Sequence, residues 1–245
     1  MKKNKVIKAA MWIISIISLI GTGIALKYLP DTVPTHYDSS WKVDGYGSKY
    51  TMLVFPVIII LMSLFWTLLM GYYEKKAATG TNEKESASAA SNAGIIGIAG
   101  IAMSVMFTVM QAFILYGSYS GAVTGAEKST VNMGRIIGIL LGVIMVVLGN
   151  YLPKTRINGT VGIRHTWTMY NDNTWRKAHR FGGVLFMIAG VVIVILSFVI
   201  SESLGITWAT IAILFATVAI TLFYSYIVYK DEVDKNEGFR KGDDQ

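Results

Sequence analysis

"MGRIIGILLGVIMVVLGNY", Met133 to Tyr151, decides the class of this chain. Its only charged side chain is Arg135, close to the start, and polar side chains return only at Asn150 and Tyr151. At about 1.5 Å of rise per residue, a helix of this length covers a hydrocarbon core of roughly 30 Å. Gly134, Gly138 and Gly142 recur every four positions, so they share one helix face and let a neighbouring backbone come close. They are read as a helix-packing stripe.

Five further apolar runs of similar length surround it: Val6 to Lys27, Thr51 to Tyr73, Ala93 to Gly117, Phe181 to Ser201 and Ile206 to Tyr229. With 53% apolar and 15% charged residues in 245, the composition is far from that of a soluble domain. The expected fold is an all-α integral membrane protein of about six transmembrane helices. The first run follows Lys2, Lys3, Lys5 and Lys8, but it is longer than a secretory leader core and ends in "KYLPDTVP" without a small-residue cleavage site, so it reads as a retained helix. The absence of cysteine excludes disulfides, thiol catalysis and thiolate metal sites.

The net charge of +7 does not point to nucleic acid, because its distribution follows the membrane. Seventeen of the 22 Lys and Arg residues lie in the N-terminal stretch through Lys8, in 74–92, in 152–180 and after Tyr229. By the positive-inside rule these segments are cytosolic, which predicts an N-in/C-in topology with outer loops at 28–50 and 118–132. The segment 74–92, "EKKAATGTNEKESASAASN", is small, polar and low in complexity, and is expected to be a flexible cytosolic linker. The tail 230–245 is expected to be a solvated end. Ionisable groups are missing from the middle of every run, which disfavours a proton-driven pump. Gln111 is the one mid-membrane amide and is expected to bond to another helix.

The outer loop "YLPDTVPTHYDSSWKVDGYGSKY" holds Pro30 and Pro34 in an extended entry, and its "DGYG" reads as a turn. His36, Asp38 and Asp44 lack a metal-site spacing, so no metal or cofactor is expected. In the inner loop, Asn158-Gly159 signals a type I′ turn, and Val161, Ile163, His165, Trp167 and Met169 alternate with small or polar residues. This predicts a short cytosolic β-hairpin between the fourth and fifth helices. Asn171, Asp172 and Asn173 then stand where a helix N-cap belongs, followed by Trp175 and His179 one turn apart on one face.

Two readings of this loop compete. Its cations and tryptophans satisfy positive-inside and touch membrane lipid, or its folded character serves a protein partner through Arg and Trp, the residue types that dominate interaction hot spots. Catalysis has little support: no hydrolase, metalloprotease or phosphate-binding motif is present, and the loop's only acid is Asp172. No catalytic residue is assigned.

"GNYLPKTRINGTVGIRHTWTMYNDNTWRKAHRFGG", Gly149 to Gly183, resembles the signature of the SdpI family of bacterial membrane immunity proteins. "LPDTVPTHYDSSWKVDGYGSK", Leu29 to Lys49, resembles the small domain of unknown function that commonly precedes it. The family's recurrent residues match Asn150, Pro153, Asn158, Gly162, Arg164, Trp167, Trp175, His179 and Gly183 here, and in the outer loop Pro30, Pro34, His36, Gly45 and Lys49. The chain departs from the pattern at His165-Thr166, where Thr-Pro is usual, and at Trp41, where glycine is usual. The resemblance implies protection against a secreted peptide toxin at the outer face, with Pro34, His36, Trp41 and Lys49 as ligand-contacting residues. It also implies a DNA-binding autorepressor held at the membrane by Asn158, Gly162, Arg164, Trp167, Trp175 and His179. The implied organisation is 1–73 with the outer loop, the linker 74–92, an SdpI-like four-helix domain at 93–229, and the tail 230–245. A small-molecule or lipid transporter is the alternative from a different class.

Overall fold

The structure, a computed structural model, describes residues 2–38, 42–125 and 131–243. Six helices carry it: α1 (Lys2–Ala25), α2 (Val54–Ala78), α3 (Glu83–Thr124), α4 (Met133–Tyr151), α5 (Asp172–Val199) and α6 (Ser203–Asp243). All six are long and apolar enough to cross a membrane. Large apolar side chains such as Ile17, Leu68, Phe198 and Phe215 point outward, while Ser15, Thr22, Ser63, Ser104, Ser197, Thr221 and Ser225 are buried. That inversion of the soluble pattern is what lipid as solvent produces: hydrocarbon accepts the apolar faces, and helices meet through small residues. Most of these buried hydroxyls donate to a carbonyl one turn back, as Ser104 does to Gly100 (2.9 Å) and Thr221 to Thr217 (2.7 Å). Ser15 and Ser63 additionally join α1 to α2 at 2.7 Å.

α1, α2 and α3 pack on one another, α4, α5 and α6 do the same, and α3 adjoins α4. The first group closes over Ile7, Met11, Met70, Ala93 and Ile96. The second closes over Met145, Ala189 and Ile193. The α4–α5 seam is set by glycine. A Cβ on Gly142 would lie 2.6 Å from the Gly190 carbonyl oxygen, and one on Gly190 would lie 2.5 Å from that of Gly142. Gly149 and Gly183 repeat the arrangement at 2.7 and 2.6 Å. Gly134 and Gly138 face Ser203 and Ser197, so the whole predicted stripe is a packing surface. Gln111 donates to Thr22 Oγ1 of α1 (3.2 Å) and to the Met52 carbonyl (3.0 Å), as expected of a lone amide among apolar helices.

Three expectations are corrected. The only sheet among the described residues is between α1 and α2, where β1 (Thr32–Tyr37) pairs antiparallel with β2 (Val43–Ser48). "DGYG" lies inside β2 rather than at a turn, because Gly45 lies across from His36 with no room for a side chain: a Cβ there would be 2.9 Å from His36 Cβ. The predicted hairpin between α4 and α5 does not form, since side chains capture the backbone groups that a ladder would use. Finally, most of 74–92 is helical: α2 runs to Ala78, and Asn82 caps α3 by accepting the Glu85 N–H at 2.9 Å. The start of the tail is also helical and docked. Lys177 on α5 pairs with Glu232 on α6 at 3.0 Å, and Asn173 bonds the same carboxylate.

Candidate functional site

Residues 155–171 form an irregular cap over the first turns of α5. Asn158 organises its entry. Its Oδ1 accepts the N–H groups of Thr160 and Val161, both at 2.7 Å, and its Nδ2 donates to the carbonyls of Arg156 (2.7 Å) and Val161 (2.9 Å). A side chain that satisfies four backbone groups replaces the strand pairing predicted for them. The Tyr73 hydroxyl, from the end of α2, lies 2.8 Å from Thr160 Oγ1 and 3.2 Å from Asn158 Oδ1. Asn92 of α3 grips the chain two residues before Asn158, accepting the Arg156 N–H (3.2 Å) and donating to its carbonyl (3.4 Å). The cap, which sits on α5, is therefore also bonded to the α1–α3 group.

Gly162 has φ of 112°, outside the range that L side chains adopt comfortably, and a Cβ there would press on the Trp175 ring and His179 Nε2. Below it, Trp175 and His179 stack at 3.8 Å between centroids. Asn171 caps α5 as the sequence predicts, accepting the Thr174 N–H at 2.8 Å, and so fixes the turn that presents both rings. Trp175 Nε1 donates to the Thr155 carbonyl (3.1 Å). The two nitrogens of His179 are both engaged: Nε2 accepts the Ile163 N–H (2.9 Å), which leaves Nδ1 as the donor to the Trp175 carbonyl (2.8 Å). An imidazole bonded this way is neutral and has no free site for acid–base work.

Thr168 closes the second half of the cap. Its hydroxyl accepts the His165 N–H and donates to the Ile163 carbonyl, both at 2.8 Å. Trp167 wedges between cap and α6, with Nε1 donating to Ser225 Oγ at 2.8 Å and its ring edge-on to Tyr226. Tyr170 meets Tyr229 edge-on at 5.2 Å.

The residues predicted as one cytosolic surface thus separate into two sets. Asn158, Gly162, Trp175 and His179 come together, but as the support of the cap; Trp175 and His179 are only 2% and 0% exposed. Their expected role as a contact surface is corrected: an indole and an imidazole with all polar atoms satisfied are more stable beneath the loop than in water. Arg164 is exposed and Trp167 half-buried, and Thr166, Met169 and Tyr170 extend the accessible patch. Periodicity concealed Thr168, which bonds backbone groups within the cap, and Asn92 and Tyr73, whose contacts are distant in sequence.

Residues 154–225, the cap with α5 and most of α6, match the SdpI/YfhL protein family. Residues 13–60 match a second family, a domain of unknown function (DUF1648), that takes in most of α1, the β1–β2 hairpin and the start of α2. Along nearly its whole length the chain is similar to "Immunity protein SdpI" of Bacillus subtilis (strain 168), 25% identical over 230 residues, which is 94% of this chain and 97% of the relative. No solved structure matches the chain. The family match, the similar immunity protein and six apolar helices make it a multi-pass cell membrane protein.

At the opposite end of the bundle, the hairpin places its predicted residues apart. Pro34 is buried, its carbonyl accepting from Ser118 of α3 at 3.3 Å. His36 is exposed and pairs across the strands with Asp44, Nδ1 to Oδ1 2.5 Å. Lys49 anchors the hairpin base, with Nζ 3.0 Å from Asp31 and 3.4 Å from the Leu29 carbonyl. Asp38 accepts the Lys42 N–H at 2.9 Å. Trp41 lies outside the described residues.

Proposed function

We propose that this chain is a membrane immunity protein that protects its cell from a secreted peptide toxin and signals toxin binding by holding a DNA-binding autorepressor at the membrane. The similarity to an immunity protein along 94% of the chain, at both the hairpin and the cap, carries the reading. In this reading the hairpin faces outward and the cap faces the cytosol. The cation-rich segments support that orientation because they converge on one another: Lys8 pairs with Glu74, Lys84 with Asp172 and Lys177 with Glu232. Arg164, Trp167, Met169 and Tyr170 offer the repressor a cationic and aromatic patch on a pre-formed support.

Signalling requires that toxin bind one helix arrangement more tightly than another, since a ligand shifts states only through differential affinity. Expression in toxin-sensitive bacteria tests the protective half: survival against secreted killing peptides is expected, and no survival against any of them ends the proposal. For the signalling half, Arg164→Ala should release the repressor to the cytosol with protein abundance unchanged. Unchanged recruitment would assign the patch to lipid contact instead.

The buried hydroxyl row of Ser15, Ser63 and Ser104 is the one feature that favours a transporter. These groups bond to one another and to helix carbonyls, as a packed seam does.

A further inference from the structure

A cavity of about 750 Å³ lies beside the cap, but its acids, Glu85 and Asp172, are already paired with Lys76 and Lys84. A second cavity, of about 410 Å³, lies under the β1–β2 hairpin. Pro34, Met52, Phe55, Ile114 and Met133 wall it, and Gln111 is the one amide among its lining residues. Gln111 is 2% exposed. Its Nε2 is fixed by two bonds, to the Met52 carbonyl and Thr22, and that fixes Oε1 as the opposite end of the amide. Oε1 has no hydrogen-bond partner among the described residues. A buried acceptor left unmatched destabilises the unliganded protein, so the stable complement is a group with an apolar body and a single donor.

We infer that this cavity is a recognition pocket for an indole or phenol side chain of the secreted peptide, with Gln111 Oε1 accepting its N–H or O–H. The inference rests on the immunity reading for the source of the ligand. The chemistry of the pocket stands apart from it: an acyl chain fills apolar walls but leaves the acceptor unmatched, whereas an aromatic ring with a donor satisfies both. The hairpin forms the roof through Pro34 and Thr35, so a peptide arriving there meets the pocket directly.

The test uses the full chain in lipid nanodiscs, with 5-fluoroindole and 1-methyl-5-fluoroindole observed by fluorine NMR against empty nanodiscs. Saturable binding of 5-fluoroindole is expected, with the methylated probe about tenfold weaker, since a matched buried acceptor supplies roughly that ratio. Gln111→Met should bring the two probes to equal affinity, and Ile114→Trp, which fills the pocket from its wall, should remove both. Equal affinities in the unaltered chain, or binding that survives Ile114→Trp, overturns the inference. A survival assay separates the two readings. Protection that persists unchanged in Ile114→Trp sinks the pocket's role and leaves immunity standing. Selective indole binding in a chain that protects against no peptide sinks immunity and leaves the pocket.

Discussion

His179 Nε2 accepts the backbone N–H of Ile163 at 2.9 Å, so a helix of the bundle holds the cap through a neutral imidazole. His179→Leu leaves that N–H in the interior without an acceptor. A loss of about 2 kcal/mol in stability is expected, read by denaturant unfolding in mild detergent. Arg164→Ala, on the exposed face, should change unfolding by less than about 0.5 kcal/mol. Equal effects of the two would contradict the division of the cap into support and surface.

Gly162→Ala combines an unfavourable φ with a Cβ 3.0 Å from the Trp175 ring. Backbone strain of this type is worth about 1 to 3 kcal/mol, and the contact adds to it. Near-ultraviolet circular dichroism should show loss of the Trp175 signal before the helices melt. An unchanged spectrum would mean that the loop moves aside without strain.

Removing the Asn158 side chain exposes the Thr160 and Val161 amides, whose only acceptor among the described residues is its Oδ1. Hydrogen exchange at these two positions should quicken at least about tenfold in Asn158→Ala, the equivalent of one net hydrogen bond. Amides of α5 beyond the cap should keep their rates. Acceleration spread over α5 would show that the loop and the helix unfold together.

Gly190→Val places a branched side chain against the Gly142 carbonyl. Overpacking of this kind destabilises by about 1 to 3 kcal/mol. Gly71→Val is the control, since a Cβ there meets nothing within 4 Å. A thermal midpoint lowered only in the first variant is the expected result.

Much of this architecture was legible because membrane spans obey a length and composition rule that neighbours do not override. α4 begins at Met133 and ends at Tyr151, as read from the sequence, and Asn171 caps α5. The failure of the predicted hairpin has one cause. Asn158, Thr168 and His179 bind backbone groups themselves, so alternation from Val161 to Met169 had no ladder to express. The composition of 74–92 suggested disorder, yet Asn82 and Glu85 carried a readable cap, and Asn92 bonds a loop far along the chain. Burial of Trp175 and His179 could not be told from interfacial anchoring, because both demand the same amphipathic residues at the same spacing.

The paired glycines have a mechanical meaning. Where Gly142 meets Gly190 and Gly149 meets Gly183, no side-chain layer lies between the backbones to absorb a shift. α4 and α5 therefore behave as one stiff lever. Its one end is Met133, in the wall of the cavity under the hairpin, and its other carries Trp175 and His179 beneath the cap. A displacement at one tip arrives at the other as rotation of the whole lever.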